Sequence, residues 1–231
     1  RTERQALFAE RPDAAAFSAR ILAAVSGREE APENANGLVF IASRSGDSKM
    51  SGAALGHIVK HHLGNVAAMK PLVGSLSRDM TPMAGKALAA MSKSDDATVS
   101  ISARYTMASR MKNMMQMASG YADADEALKK RYVEFYGQEA IDAAGAMDAA
   151  ATNKKVETIL DAIAKDERAA TVDAGRGRTY ADMAKTELFE IRNLSVGCKA
   201  PEITGPDVDG VTFNLSDYRG KVVFLDFWGH W

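Results

Sequence analysis

The deciding stretch opens Val196-Gly197-Cys198-Lys199-Ala200-Pro201-Glu202-Ile203-Thr204-Gly205-Pro206 and continues Asp207-Val208-Asp209-Gly210-Val211-Thr212-Phe213-Asn214. After Leu215-Ser216-Asp217-Tyr218-Arg219-Gly220-Lys221 it closes on Val222-Val223-Phe224-Leu225-Asp226-Phe227-Trp228-Gly229-His230-Trp231. Residues 222–225 are apolar without interruption, the pattern of a strand buried on both faces of a parallel sheet. Asp226 then breaks the run with a carboxylate, which is costly to bury charged and unpaired. It reads either as an end-of-strand residue reaching water or as a functional acid. Because Phe227 and Trp228 resume the apolar run, the functional reading is preferred. Asp209-Gly210, between Val208 and Val211, is a two-residue hairpin signal. Residues 215–220 read as a turn or helical turn feeding the strand.

Upstream, residues 1–193 read as helices joined by short breaks. Arg1 to Gln5 already look helical. Asp13 is placed to cap an Ala-rich helix ended by Gly27. The apolar run at 37–42 fits strand or buried helix by periodicity alone; its helical neighbours decide for helix. Pro71 inside the helical run 65–76 predicts a kink or break. Thr81-Pro82 opens a helix to Met91. Ser94-Asp95-Asp96 opens the longest run, 97–119, with Gly120 after it. Gly137 stops the next, two more are separated around Thr152-Asn153, and 168–178 reads as a loop. The last helix, 179–193, carries Ala184, Leu188 and Ile191 at helical spacing. Many helices with short connections and no fixed period near 34 residues describe a helical hairpin array or an irregular bundle.

A chain of 231 residues holds one large domain or two ordinary ones, and its 46% hydrophobic content is that of a globular protein. A formal net charge of −1 gives no support to nucleic-acid or anionic-membrane binding, and no apolar run is long enough to span a membrane. The single cysteine, Cys198, excludes an intramolecular disulfide and a multi-cysteine metal site.

The motifs Gly197…Ala200-Pro201, Asp209-Gly210, 215–221 and Asp226-Phe227-Trp228-Gly229-His230-Trp231 resemble redoxins, the thioredoxin-fold thiol–disulfide oxidoreductases of the TlpA type. The resemblance covers about the last 35 residues, and several spaced motifs agree in order. It implies a two-part chain: 1–193, a helical (tetratricopeptide-like or bundle) domain, and 194–231, the first β elements of a truncated thioredoxin-like α/β domain. In that family the tryptophan matching Trp231 is followed at once by Cys-x-x-Cys. The chain as given is therefore expected to be inactive by itself, with both ends looking cut. The resemblance assigns Asp226 as the acid behind the second cysteine, a proton acceptor, and Trp231 as the neighbour of the first. It leaves Cys198 a non-catalytic loop residue, and it implies protein or small-thiol disulfide substrates, no cofactor, and a periplasmic or cell-envelope location. The approach 227–231 looks unlike the Pro-x-x-x-Thr/Ser-x-x-Cys context of peroxiredoxins. The other reading is an interaction module, in which the helical region binds a protein partner and the redoxin piece is vestigial.

Three further groupings invite chemistry. His57 and His61 lie at i and i+4 and share a helix face, but no Cys or Glu completes a zinc set and His-Glu-x-x-His is absent, so they read as solvated or packing residues. Met107, Met111, Met114, Met115 and Met117 crowd one helix. Met107, Met111 and Met114, at i, i+4 and i+7, form one buried stripe, read as core before peptide groove or soft-metal site. Gly175-Arg176-Gly177-Arg178 is a basic, glycine-rich loop with no preceding strand, read as a linker and not a phosphate site.

Overall fold

Side-chain caps start most of the elements. A computed structural model describes residues 13–229, and the helical reading of 1–5 lies outside them. The first helix among the described residues, α1, is Ala14–Val25, and the Asp13 carboxylate accepts from the Ala15 amide at 2.9 Å. A 3-10 turn, Pro32–Asn34, leads into α2, Ala35–Arg44, so the 37–42 run is helix. Asp47 starts α3, Ser48–His61, by accepting from Lys49 and Met50, and Asn65 starts α4, Val66–Ser75. Thr81 caps α5, Pro82–Met91, with Pro82 at the first position, where its missing N–H costs nothing. Asp96 caps α6, Ala97–Ala122; Asp125 caps α7, Glu126–Tyr136. Then follow α8, Gln138–Gly145, α9, Ala149–Ala164, and α10, Tyr180–Asn193.

Four expectations need correction. The α4 helix passes through Pro71 without ending, because Ala68, Met69, Leu72 and Val73 are buried around it and that packing offsets the lost hydrogen bond. The α6 helix runs through Gly120. A side chain there would bring a Cβ within 2.5 Å of the Tyr132 hydroxyl oxygen, so this glycine serves close approach, not termination. The break expected at Thr152-Asn153 falls at 146–148, where Asp148 accepts from the Ala151 amide at 2.6 Å and outcompetes weaker stops. The loop at 168–178 holds a 3-10 turn, Glu167–Ala170, and a tight antiparallel hairpin, β1 (Asp173–Gly175) with β2 (Arg178–Thr179). Arg176 and Gly177 both have positive φ, 59° and 71°, as a two-residue hairpin turn of the primed kind demands.

Contacts divide the chain into two units, residues 1–187 and 188–231, with the division inside α10. In the first unit α4, α5, α8 and α9 all pack on α6, an irregular bundle around one long helix. Its larger core is built of fully buried Leu38, Ile41, Leu55, Ile58, Leu72 and Leu88, each contributing about 1.5–3 kcal/mol through burial. A smaller core holds Met80, Met114, Met117 and Ile141. The methionines therefore do not make one stripe: Met107 packs on the larger core, and Met114 and Met117 belong to the smaller. The fold is mainly α, with two small two-stranded antiparallel sheets among the described residues.

Candidate functional site

The second unit begins with the end of α10 and a turn in which the Cys198 amide donates to the Ser195 carbonyl at 3.0 Å. Its sheet is one hairpin: β3, Thr204–Pro206, pairs antiparallel with β4, Thr212–Asn214, in the register Thr204↔Asn214, Gly205↔Phe213, Pro206↔Thr212. The Asp209-Gly210 signal is a turn, but the loop is longer than two residues. Its organiser is Asp207, whose carboxylate accepts from Asp209 and Val211 amides, both at 2.9 Å, while Gly210 takes φ 82°. After β4 comes the 3-10 turn Leu215–Tyr218, closed by a capping box between Asn214 and Asp217.

Glu202, not singled out from the sequence, ties this unit together. One carboxylate oxygen accepts from Ser216 N–H at 2.9 Å and from Ile203 N–H at 3.2 Å, joining the residue before the hairpin to the turn after it. Hydrogen bonds from Ser216 hold its carboxyl below the usual carboxylate value. A Glu thirteen or so residues before a 3-10 turn has no local sequence signature, so only the folded geometry could find it.

Residues 222–228 adopt no regular structure and lie exposed. Phe224 is 91% exposed, Phe227 83% and Trp228 79%. The expected buried strand is thus absent among the described residues. A strand buried on both faces needs neighbours on both edges to receive its N–H and C=O groups, and β3 and β4 pair only with each other. Asp226 is exposed in this segment, and Trp231 lies outside the described residues. Cys198 is exposed and unpaired; near it Leu194, Pro201, Ile203, Leu225 and Phe227 line a cavity of about 380 Å³. The structure therefore brings Cys198 beside an apolar concavity but does not place Asp226 in an enclosed site.

In the first unit His62 is buried with Nε2 2.6 Å from the Glu29 carbonyl oxygen, and no group of three or more metal-ligating side chains occurs among the described residues. One polar cluster escaped the sequence. Glu187 accepts from the Tyr105 hydroxyl and, at 2.7 Å, from Lys112 Nζ. Burial, reinforced by Glu187, pushes the Tyr105 hydroxyl well above its ordinary value. Nearby in sequence to α9, Asp166 joins Arg104 at 2.6 Å and Arg168 at 3.0 Å. Apart from Asp166 and Arg168, which are two positions apart, these partners are separated by 62 to 82 positions, so no spacing could reveal them. No described helix is long and apolar enough to cross a membrane.

No family model and no solved structure matches the chain. Curated relatives match over a short segment. The chain is 50% identical over 38 residues to the thiol–disulfide oxidoreductase ResA of Geobacillus thermodenitrificans, covering 16% of this chain and 22% of the relative. The ResA of Geobacillus kaustophilus is 53% identical over 38 residues, with the same coverage. That of Bacillus subtilis is 46% identical over 39 residues, 17% of this chain and 22% of the relative. The chain thus spans about a fifth of the length of the curated relatives it matches, and carries a short region similar to thiol–disulfide oxidoreductases.

Proposed function

We propose that residues 194–231 form the opening part of a thioredoxin-like redoxin domain of the TlpA type, preceded by a helical domain, 1–193. The observation that carries the reading is the 42–53% identity to ResA proteins over 38 residues, the length of 194–231. The ordered motifs from Ala200-Pro201 to Trp228 support it.

In this reading a chain continuing into Cys-x-x-Cys after Trp231 exchanges dithiol for disulfide. The first thiolate attacks a substrate disulfide, forming a mixed disulfide and releasing one substrate thiol. Asp226 accepts the proton of the second thiol, whose thiolate attacks the mixed disulfide and releases the other substrate thiol. The substrate gains two electrons and the enzyme dithiol becomes a disulfide. Trp231 flanks the attacking thiol. Asp226 is exposed in this structure; its role requires that later strands and helices cover 222–228. Substrates are protein or small-thiol disulfides, the chemistry needs no cofactor, and the resemblance supports a cell-envelope or periplasmic location.

The test compares two chains in reduction of a protein disulfide. Residues 1–231 hold one thiol and should show no turnover. A longer chain with Cys-x-x-Cys after Trp231 should turn over, and Asp226→Asn should slow release of the mixed disulfide by about tenfold or more in single-turnover measurements. Resolution at the parent rate across about pH 6 to 9 removes Asp226 from the mechanism. Turnover by residues 1–231 that Cys198→Ser abolishes overturns the whole reading.

A further inference from the structure

The end of α7 carries an exposed aromatic side chain that the redox reading does not use. Phe135 is 80% exposed, although it sits between half-buried Tyr132 and Tyr136. Its ring meets that of Tyr136 edge to face at 4.8 Å between centroids. Below these rings lies a concavity of about 470 Å³, floored by Met80 and Met117 of the smaller core. Phe135 and Tyr136 also border two adjoining hollows, of about 590 Å³ beside Leu128 and Arg131 and about 200 Å³ beside Arg44 and Asp47. The three hollows share Phe135 and Tyr136 in their walls and are taken together as one trough.

Its polar groups are specific. Arg78 is the charged residue lining the central hollow, and it is exposed with no ion pair among the described residues. Of the carboxylates bordering the hollows, Asp47 accepts from the first amides of α3, Asp79 accepts from Thr81 N–H and faces Arg110, and exposed Glu134 borders the outer hollow beside Arg131, away from Arg78. Asn113 donates to the Ser77 carbonyl at 3.0 Å, which leaves its amide oxygen as an acceptor, and Gln116 beside it is exposed. Two side-chain amides offering both donors and acceptors match a peptide backbone, and a concave wall does not match a flat bilayer.

We infer that this trough binds a linear peptide segment in which an apolar side chain is flanked by carboxylates. The apolar side chain packs among Phe135, Tyr136 and Met117, where aromatic and thioether groups adapt to differing shapes. A carboxylate takes the two-pronged hydrogen bond that the Arg78 guanidinium leaves open.

The probe is a fluorescent, end-blocked Gly-Glu-Phe-Leu-Asp-Gly peptide titrated with the 231-residue chain and followed by anisotropy. Saturable binding is expected, weakened about fivefold or more in Arg78→Gln and in Phe135→Ala. Both side chains are exposed, so both variants should keep the parent's circular dichroism and denaturant midpoint. The Gln/Asn counterpart of the peptide should bind about fivefold more weakly. The inference is overturned by no saturation up to about 1 mM peptide, by equal affinity for the amide counterpart, or by affinity unchanged in both variants. It is also overturned if phosphatidylglycerol vesicles bind the chain through Arg78 and Phe135 while the peptide does not.

Discussion

Among the described residues of the first unit Leu128 is the only exposed Leu, Ile, Val or Met, whereas from Phe189 to Gly229 no described residue is buried. Apolar content does not explain the contrast, since 222–228 holds six large apolar residues in seven positions. Backbone does. A helix satisfies its own N–H and C=O groups and needs only a neighbour for one face. A strand satisfies neither alone, and the hairpin of β3 and β4 offers 222–228 no edge that it uses.

Amide exchange tests this comparison most severely. Residues 97–118 in α6 should be protected by about a thousandfold or more, because the helix lies against both cores. Residues 221–229 should exchange within about tenfold of an unstructured chain. Equal protection of the two segments breaks the comparison.

Side-chain truncation gives a smaller effect. Leu72 is fully buried, and Leu72→Ala should lower stability by about 2–5 kcal/mol in urea titration. Phe224→Ala, at a 91% exposed position, should change it by about 0.5 kcal/mol or less. A Phe224→Ala loss as large as that of Leu72→Ala would mean that the tail is packed.

The smallest effect is electrostatic and should also differ between the units. Arg168 and then Arg104 hold the Asp166 carboxyl well below the usual carboxylate range. A depressed folded pKa stabilises fully above the unfolded value of about 3.9 and is lost as pH falls toward the folded one. Asp166→Asn should therefore flatten the fall in denaturant midpoint between about pH 5 and 2. Glu202→Gln should alter it less, because Glu202 is exposed and its interactions are screened. A larger effect at Glu202 would sharpen the picture in favour of a cooperatively folded second unit.

The sequence by itself determined where some helices begin. Asp13, Thr81 and Asp96 each accept from a backbone amide two or three residues further on, and local chemistry is legible locally. It also determined the redoxin-like order of motifs in the tail, including a hairpin about Asp209-Gly210. Only the tertiary structure decided that Pro71 and Gly120 stay inside helices, since each depends on side chains packed from elsewhere. It alone divided the methionines of α6 between two cores and joined Tyr105, Lys112 and Glu187, across 75 and 82 positions. It also left 222–228 exposed. An apolar run states which side chains favour burial, but whether they are buried depends on strands or helices that the run does not itself contain.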